Sequence, residues 1–306
     1  MSSAPHRLNI VVSLPVESSD YQRAEAMAAQ NASHQYGFNV TVIYAESDAL
    51  VQSQQLLSLI HSSTATRPDV IMLEPVGTGM VRVAQEAVKA GIGWVVLNRE
   101  VDYIDELRGA AHVPVFTVTT NHSETGRIQG RQINALLPDG GTVVYLQGPN
   151  TNPVSKVRAD GVLETKAPHI QLRMLNGHWL ESTAADAVSS WLGLSTSRDL
   201  HLRVVAAQND FMAMGARKAF AQLADKYNRK DWLDIRYIGC DGLEDYGSRW
   251  AASGQLAATI LCPPLSPIAM EILAKEVAHG VHSPACVFTD PVSYPALEQL
   301  RPKGSA

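Results

Sequence analysis

The feature that most constrains this chain is a repeated alternation of short, strand-length apolar runs with longer stretches of helical periodicity. Leu8–Leu14 reads as a strand, and Asp20 is placed to cap a helix that runs to Tyr36 and closes at Gly37. In Phe38–Ala45, Phe38, Val40, Val42 and Tyr44 alternate with Asn39, Thr41 and Ile43, the signature of a second strand. A helix over 48–62 leads to a buried strand, Asp69–Leu73. A helix over Thr78–Ala90 stops at Gly91, and Trp94–Leu97 and Val115–Thr119 are strands.

The pattern then restarts. It predicts helix 121–137, strand 142–147, helix 153–167, strand 170–175, helix 181–193 and strand 202–207. Helix 210–227, strand 235–239, helix 244–253, strand 256–260 and helix 266–279 complete it. Strands alternating with helices of roughly 10–15 residues imply βαβ units and parallel sheets, hence an α/β fold. One open sheet would have to hold too many strands. Two doubly wound parallel-sheet halves fit better, with the first passage between them near Thr119–Asn121. The length of 306 residues agrees, at about 150 residues per domain.

Composition removes several functional classes. The chain is 45% hydrophobic and 18% charged, a globular balance. Its formal net charge is −5 with no basic block, which argues against a nucleic-acid partner. No apolar run approaches the roughly 18–20 residues of a membrane span. Met1–Arg7 is polar and the first apolar run, Leu8–Val12, is shorter than a secretory h-region. Either the protein works in the cytoplasm, or the chain begins near a mature N-terminus and the protein is periplasmic. Cys240, Cys262 and Cys286 are too few and too dispersed for a disulfide framework or a CxxC metal site.

In doubly wound sheets, ligands bind beyond the carboxyl ends of the strands. Ser13 follows the first run; Asn98 and Arg99 follow Trp94–Leu97; Asn121 follows Val115–Thr119. Gln208, Asn209 and Asp210 follow Val204–Ala207, and Cys240, Asp241 and Gly242 follow Ile235–Gly239. Amides, carboxylates and guanidiniums suit neutral polyhydroxylated ligands: a carboxylate accepts from two hydroxyls, and an Arg fork donates to two oxygens. At any single position such a residue is equally a helix N-cap, Asp210 above all. Their joint occurrence at four strand ends favours binding for the set.

Gln208-Asn209-Asp210-Phe211-Met212-Ala213-Met214-Gly215-Ala216, Ile238-Gly239-Cys240-Asp241-Gly242 and Gly254-Gln255-Leu256-Ala257-Ala258-Thr259-Ile260 resemble the type I periplasmic binding proteins, ribose-binding branch. Val96-Leu97-Asn98-Arg99, Asn121 with Gly126-Arg127, and Gly148 followed by Arg158-Ala159-Asp160-Gly161 resemble it too, in the family's order from about residue 8 to 291. The resemblance implies two Rossmann-like lobes joined by a three-stranded hinge, with a sugar in the cleft between them. The N-terminal lobe would be 7–119 plus 263–289, and the C-terminal lobe 120–262 plus 290–306.

It also implies roles. Arg99 and Arg158 would be bidentate donors to sugar oxygens, Asn209 and Asp241 hydroxyl binders, and Asn98 stands where the family has Asp. Ser13, Asp20 and Asn121 join the candidate set; Trp179 would face the cleft or staple the helix it precedes. Two departures bear on the ligand. Only Tyr21 remains of an aromatic pair after the first strand, and Cys262 replaces a glutamine near the third crossing. A polyol-like ligand other than ribose is expected, and Asn98 for Asp favours an anionic or carboxyl-bearing derivative.

Other signals are weaker. His279-Gly280-Val281-His282 ends a surface helix and is a poor metal pair. Asp241-Gly242-Leu243-Glu244-Asp245 is better explained by hydroxyl binding than by a cation. Gly77-Thr78-Gly79 lacks the rest of a phosphate loop, and Met212 and Met214 read as core. No HExxH, GxSxG or Cys–His signature occurs, so neither catalysis nor a cofactor or metal is expected. The expected function is a monomeric solute-binding protein that delivers a sugar or polyol to ABC permease subunits. The alternative is a sugar-sensing effector domain like that of lactose-repressor-type regulators; an enzyme is the third possibility.

Overall fold

In a computed structural model of the chain, residues 7–63, 66–280 and 282–302 are described; the N-terminal reading of Met1–His6, Val281 of the His279–His282 motif, and the end of the second expected lobe lie outside them. The strands, in chain order, are β1 (Asn9–Leu14), β2 (Asn39–Tyr44), β3 (Val70–Leu73), β4 (Gly93–Leu97), β5 (Val115–Thr120) and β6 (Gly141–Gln147). They continue with β7 (Ile170–Asn176), β8 (Leu202–Ala207), β9 (Arg236–Ile238), β10 (Thr259–Leu261), β11 (Cys286–Thr289) and β12 (Val292–Tyr294).

The chain forms two compact units. Unit 1 is Met1–Thr120 with Pro264–Thr289, and unit 2 is Asn121–Pro263 with Asp290–Ala306. Unit 1 carries a six-stranded sheet in the order β11-β5-β4-β3-β1-β2, with every pairing parallel. Alternate residues of each strand feed opposite faces. Ile10, Val12, Val70, Met72, Val95 and Leu97 pack on one side with Ala26, Ala29, Ala269 and Leu273. Ile71, Leu73, Trp94 and Val96 pack on the other with Leu56, Ile60, Val83 and Ala87. Both faces are therefore covered, which is why these strands read as continuous apolar runs.

Unit 2 repeats the plan with a four-stranded parallel sheet, β7-β6-β8-β9. Val144, Leu146, Val205 and Ala207 face the helices Glu181–Leu192 and Asp210–Ala224; Val143, Tyr145, Val204 and Ala206 face His122–Leu136 and Pro153–Thr165. A small antiparallel pair, β10 with β12, completes it.

Four expectations are corrected. Residues 256–260 do not form a strand throughout: Leu256 N–H turns back to the Trp250 carbonyl, and regular pairing starts at Thr259. The helix expected over 244–253 is a π-helical turn, Glu244–Ser248, followed by Arg249–Ala252. The cap of the first helix is Ser19 rather than Asp20, which sits in the first turn. Likewise Asn209, not Asp210, caps its helix: Asn209 Oδ1 accepts from Met212 N at 2.8 Å. The helix Ile104–Gly109 and strands β11 and β12 had no counterpart in the expected pattern. No described helix is long and apolar enough to cross a membrane.

Candidate ligand-binding site

In unit 1, polar side chains gather at the carboxyl ends of β1, β3 and β4. Ser13, in β1, is fully buried, and its hydroxyl accepts from Gln52 Nε2 at 3.0 Å. Gln52 Nε2 also donates to the Glu74 carbonyl, and Gln52 Oε1 accepts from Val76 N at 2.7 Å. One glutamine thereby fixes the turn after β3. Glu74, buried directly after β3, accepts from Gln22 Nε2 at 2.8 Å. Arg99 is buried after β4 and donates from Nη1 to the Gly77 carbonyl at 2.7 Å. Burial lowers the Arg99 pKa, and the Glu74 carboxylate works against that loss. Arg99 Nε and Gln22 Oε1 are buried polar atoms without a hydrogen-bond partner. Asn98 holds φ +61°, in the left-handed region that turns the chain sharply after the strand.

Tyr21 is buried on the helix Asp20–Tyr36, next in sequence to Gln22. Asp20 is not brought into it by any contact described: its carboxylate pairs with Arg23 one turn along its own helix. Sequence reasoning missed Glu74, Gln22 and Gln52. Glu74 had a readable signal, a carboxylate directly after the apolar run Val70–Leu73. It also restores to unit 1 the negative charge that Asn98 appeared to remove.

Unit 2 assembles a tighter cluster. Arg158 is 5% exposed on the helix Pro153–Thr165, held where Gly126 and Gly161 let two helices approach closely. Its Nη1 donates to the Gln208 carbonyl at 2.6 Å and lies 3.9 Å from Asp241 Oδ1. Its Nε meets His122 Nδ1 at 3.3 Å, and its guanidinium sits 5.9 Å from the Trp179 ring centroid. Asn209 Nδ2 donates to the Trp179 carbonyl at 2.9 Å. Trp179 packs over Gly148 so closely that a Cβ there would fall 2.0 Å from the indole.

Trp179 and Asp241 take φ values of +67° and +97°. Positive φ is costly for residues other than glycine, and such strain gathers at ligand sites. Asp241 is aligned by its neighbours: its N–H donates to the Ile260 carbonyl, and its carbonyl accepts from Cys262 N, both at 3.0 Å. Asn121 is half-buried and spends its side chain as the cap of the helix His122–Leu136, accepting from Glu124 N. Asn209 is likewise partly spent as a cap. Gln208, which sequence analysis had marked by its place after a strand, and His122, which it had not, support Arg158.

Beneath this cluster lies Asp210, 1% exposed. It accepts from Thr259 Oγ1 at 2.6 Å and from Gly242 N at 2.8 Å, tying three strand ends together. Burial pushes its pKa up to about 7, against those two hydrogen bonds. Among the described residues, no group of three or more His, Cys, Asp or Glu is placed to hold a metal.

Both units carry polar clusters at their strand ends, where doubly wound sheets bind ligands. A family model described as a periplasmic binding protein domain matches residues 10–275, and the chain belongs to that family. It is a family of transporter substrate-binding proteins, not of enzymes. The D-apiose import binding protein of Actinobacillus succinogenes is 22% identical over 258 residues, covering 83% of this chain and 76% of that protein. A Rhizobium meliloti protein named for rhizopine binding is 31% identical over 180 residues, 56% of this chain and 55% of that relative. The chain therefore matches about half the length of that relative. The crystal structure of a galactofuranose binding protein superposes with a TM-score of 0.81 at 23% identity, over 94% of each chain.

Proposed function

We propose that this chain is an extracytoplasmic solute-binding protein that captures a sugar or sugar-like polyol and presents it to ABC permease subunits. The observation that carries the proposal is the buried Arg158–Asp241 pair, flanked by Trp179 and Asn209 at the strand ends of unit 2. A guanidinium, a carboxylate and an aromatic face together match the two surfaces of a sugar, its hydroxyl rim and its C–H face. Arg99 and Glu74 offer the same two charges in unit 1, with Arg99 Nε and Gln22 Oε1 as unused hydrogen-bonding capacity.

The lobes would be 7–119 with 263–289 and 120–262 with 290–306. Ser13, Tyr21, Asn98, Asn121 and Cys262 would line or support the site as a second tier. The protein would act as a monomer in the periplasm. The relatives named for import or sugar binding favour transport over the regulator alternative.

The test is thermal stabilisation across sugars, polyols and sugar acids. A ligand at about 100 times its Kd should add roughly 2.7 kcal/mol. Arg99→Ala and Arg158→Ala should each abolish that gain; a gain unchanged in both would overturn the site.

A further inference from the structure

Unit 2 holds two thiols face to face. Cys240 Sγ and Cys262 Sγ lie 3.7 Å apart, although 22 residues separate them in sequence. Both are buried, and they share a small apolar cluster with Ile128 and Ile260. The segments that carry them are fixed side by side: Asp241 pairs in parallel register with Leu261, and Cys262 N donates to the Asp241 carbonyl. We propose that Cys240 and Cys262 form a redox-active dithiol that closes to a disulfide under peroxide and reopens under thiol reductant, clamping the segment that carries Asp241.

A disulfide requires about 2.05 Å between sulfurs, so the pair must close by roughly 1.7 Å, within reach of side-chain rotation and a small backbone adjustment. The two thiols are not equivalent. The hydrogen bond from Cys240 lowers the Cys262 pKa against the cost of burial, and the Arg158 guanidinium assists. Burial raises that of Cys240. Cys262 is thus the attacking group, because the thiolate is the nucleophile.

Its sulfur attacks one oxygen of hydrogen peroxide and the O–O bond breaks. The departing hydroxide takes up a proton and leaves as water, with a sulfenic acid on Cys262. The Cys240 sulfur then attacks the Cys262 sulfur and gives up its own proton. The S–O bond breaks and a second water leaves. Two thiols lose two hydrogens and two electrons, and the peroxide is reduced to two waters.

Asp241 feels this bond directly. It follows Cys240 in the chain and is hydrogen-bonded to the backbone of Cys262. Its carboxylate is the partner of Arg158. The effect on solute binding rests on the proposed function above, whereas the bond itself does not.

The experiment uses the full chain carrying Cys286→Ser, treated with hydrogen peroxide at neutral pH, then alkylated and analysed by intact mass and peptide mapping. The expected product is lighter by two hydrogens, has lost both alkylation sites, and yields one cross-linked peptide joining Cys240 to Cys262; dithiothreitol restores both thiols. Two thiols still alkylatable after unfolding, or oxygen added to either sulfur with no cross-link, would overturn the proposal. Thermal stabilisation by a responsive sugar is then compared between oxidised and reduced protein, where a changed shift is expected. An equal shift in both forms would overturn the clamp on Asp241 while leaving solute binding intact. A sugar response absent from both forms would count against the proposed function, not against the disulfide.

Discussion

Gly126→Ala probes how Arg158 is held in place. A Cβ at position 126 would lie 2.2 Å from the Arg158 carbonyl oxygen and 3.0 Å from Gly161 Cα. The approach is reciprocal, since a Cβ on Gly161 would lie 2.5 Å from the Ser123 carbonyl oxygen. Carbon and carbonyl oxygen meet comfortably at about 3.3 Å or more, so the helices His122–Leu136 and Pro153–Thr165 must part by roughly 1 Å. The obstruction is backbone, which cannot rotate aside as a side chain can. Overpacking of this kind costs about 1–3 kcal/mol, and alanine for glycine within a helix returns up to about 1 kcal/mol. A net loss of about 2 kcal/mol is expected, because a backbone clash falls at the upper end of that range.

The assay is urea unfolding followed by tryptophan fluorescence. It reports mainly on unit 2, which contains Trp179, Trp191, Trp232 and Trp250, against Trp94 in unit 1. Gly109→Ala, followed through Trp94 of the same unit, is the control: it lies in the helix Ile104–Gly109, and nothing lies within 4 Å of its added Cβ. The control should be neutral or slightly stabilised. If Gly126→Ala behaves like Gly109→Ala, the close helix approach does not position Arg158 and the reasoning fails.

Asp210 sets a pH dependence. Its folded pKa of about 7 exceeds the ordinary 3.8, so the folded protein retains a proton that the unfolded chain releases. Its contribution is present in full below about pH 4 and is lost as the pH rises to about 7. Relative to Asp210→Asn, the wild type should lose on the order of 4 kcal/mol across that window; a difference that stays constant with pH would contradict the assignment. Glu25, buried on the first helix, accepts from Leu265 N and Ser266 N and so caps the helix Ser266–His279 from 240 residues away in sequence. Glu25→Ala should cost about 1–3 kcal/mol in urea unfolding because it strands buried N–H donors, and Glu25→Gln should recover part of that; a Glu25→Ala variant as stable as wild type would refute the cap.

The parallel-sheet architecture was legible because strands covered on both faces leave unbroken apolar runs, as Val70–Leu73 and Trp94–Leu97 do. Elements without that cover were harder to read. β11 and β12 are short and partly exposed, and Cys286–Thr289 takes its place only by pairing with β5. Arg158 was singled out by a motif that carries the family resemblance, and Asp241 by such a motif and by its place after a strand. Glu74 was not, because a carboxylate after a strand looks like a boundary, and its burial depends on Gln22 and Gln52 arriving from elsewhere in the chain. Asp210 departs from its expected role as a cap for a similar reason: it is drawn inward by Thr259 and Gly242, which lie 49 and 32 residues away. Contacts set by tertiary approach leave no local periodicity to read.

Solute capture is tested most directly by calorimetric titration of the intact protein against neutral sugars, cyclitols and sugar acids. The expected result is saturable binding of at least one of these compounds, with one ligand per chain, and loss of that binding in Arg158→Ala. Absence of saturable binding across the whole panel, or binding undiminished when both Arg99 and Arg158 are replaced, would contradict it.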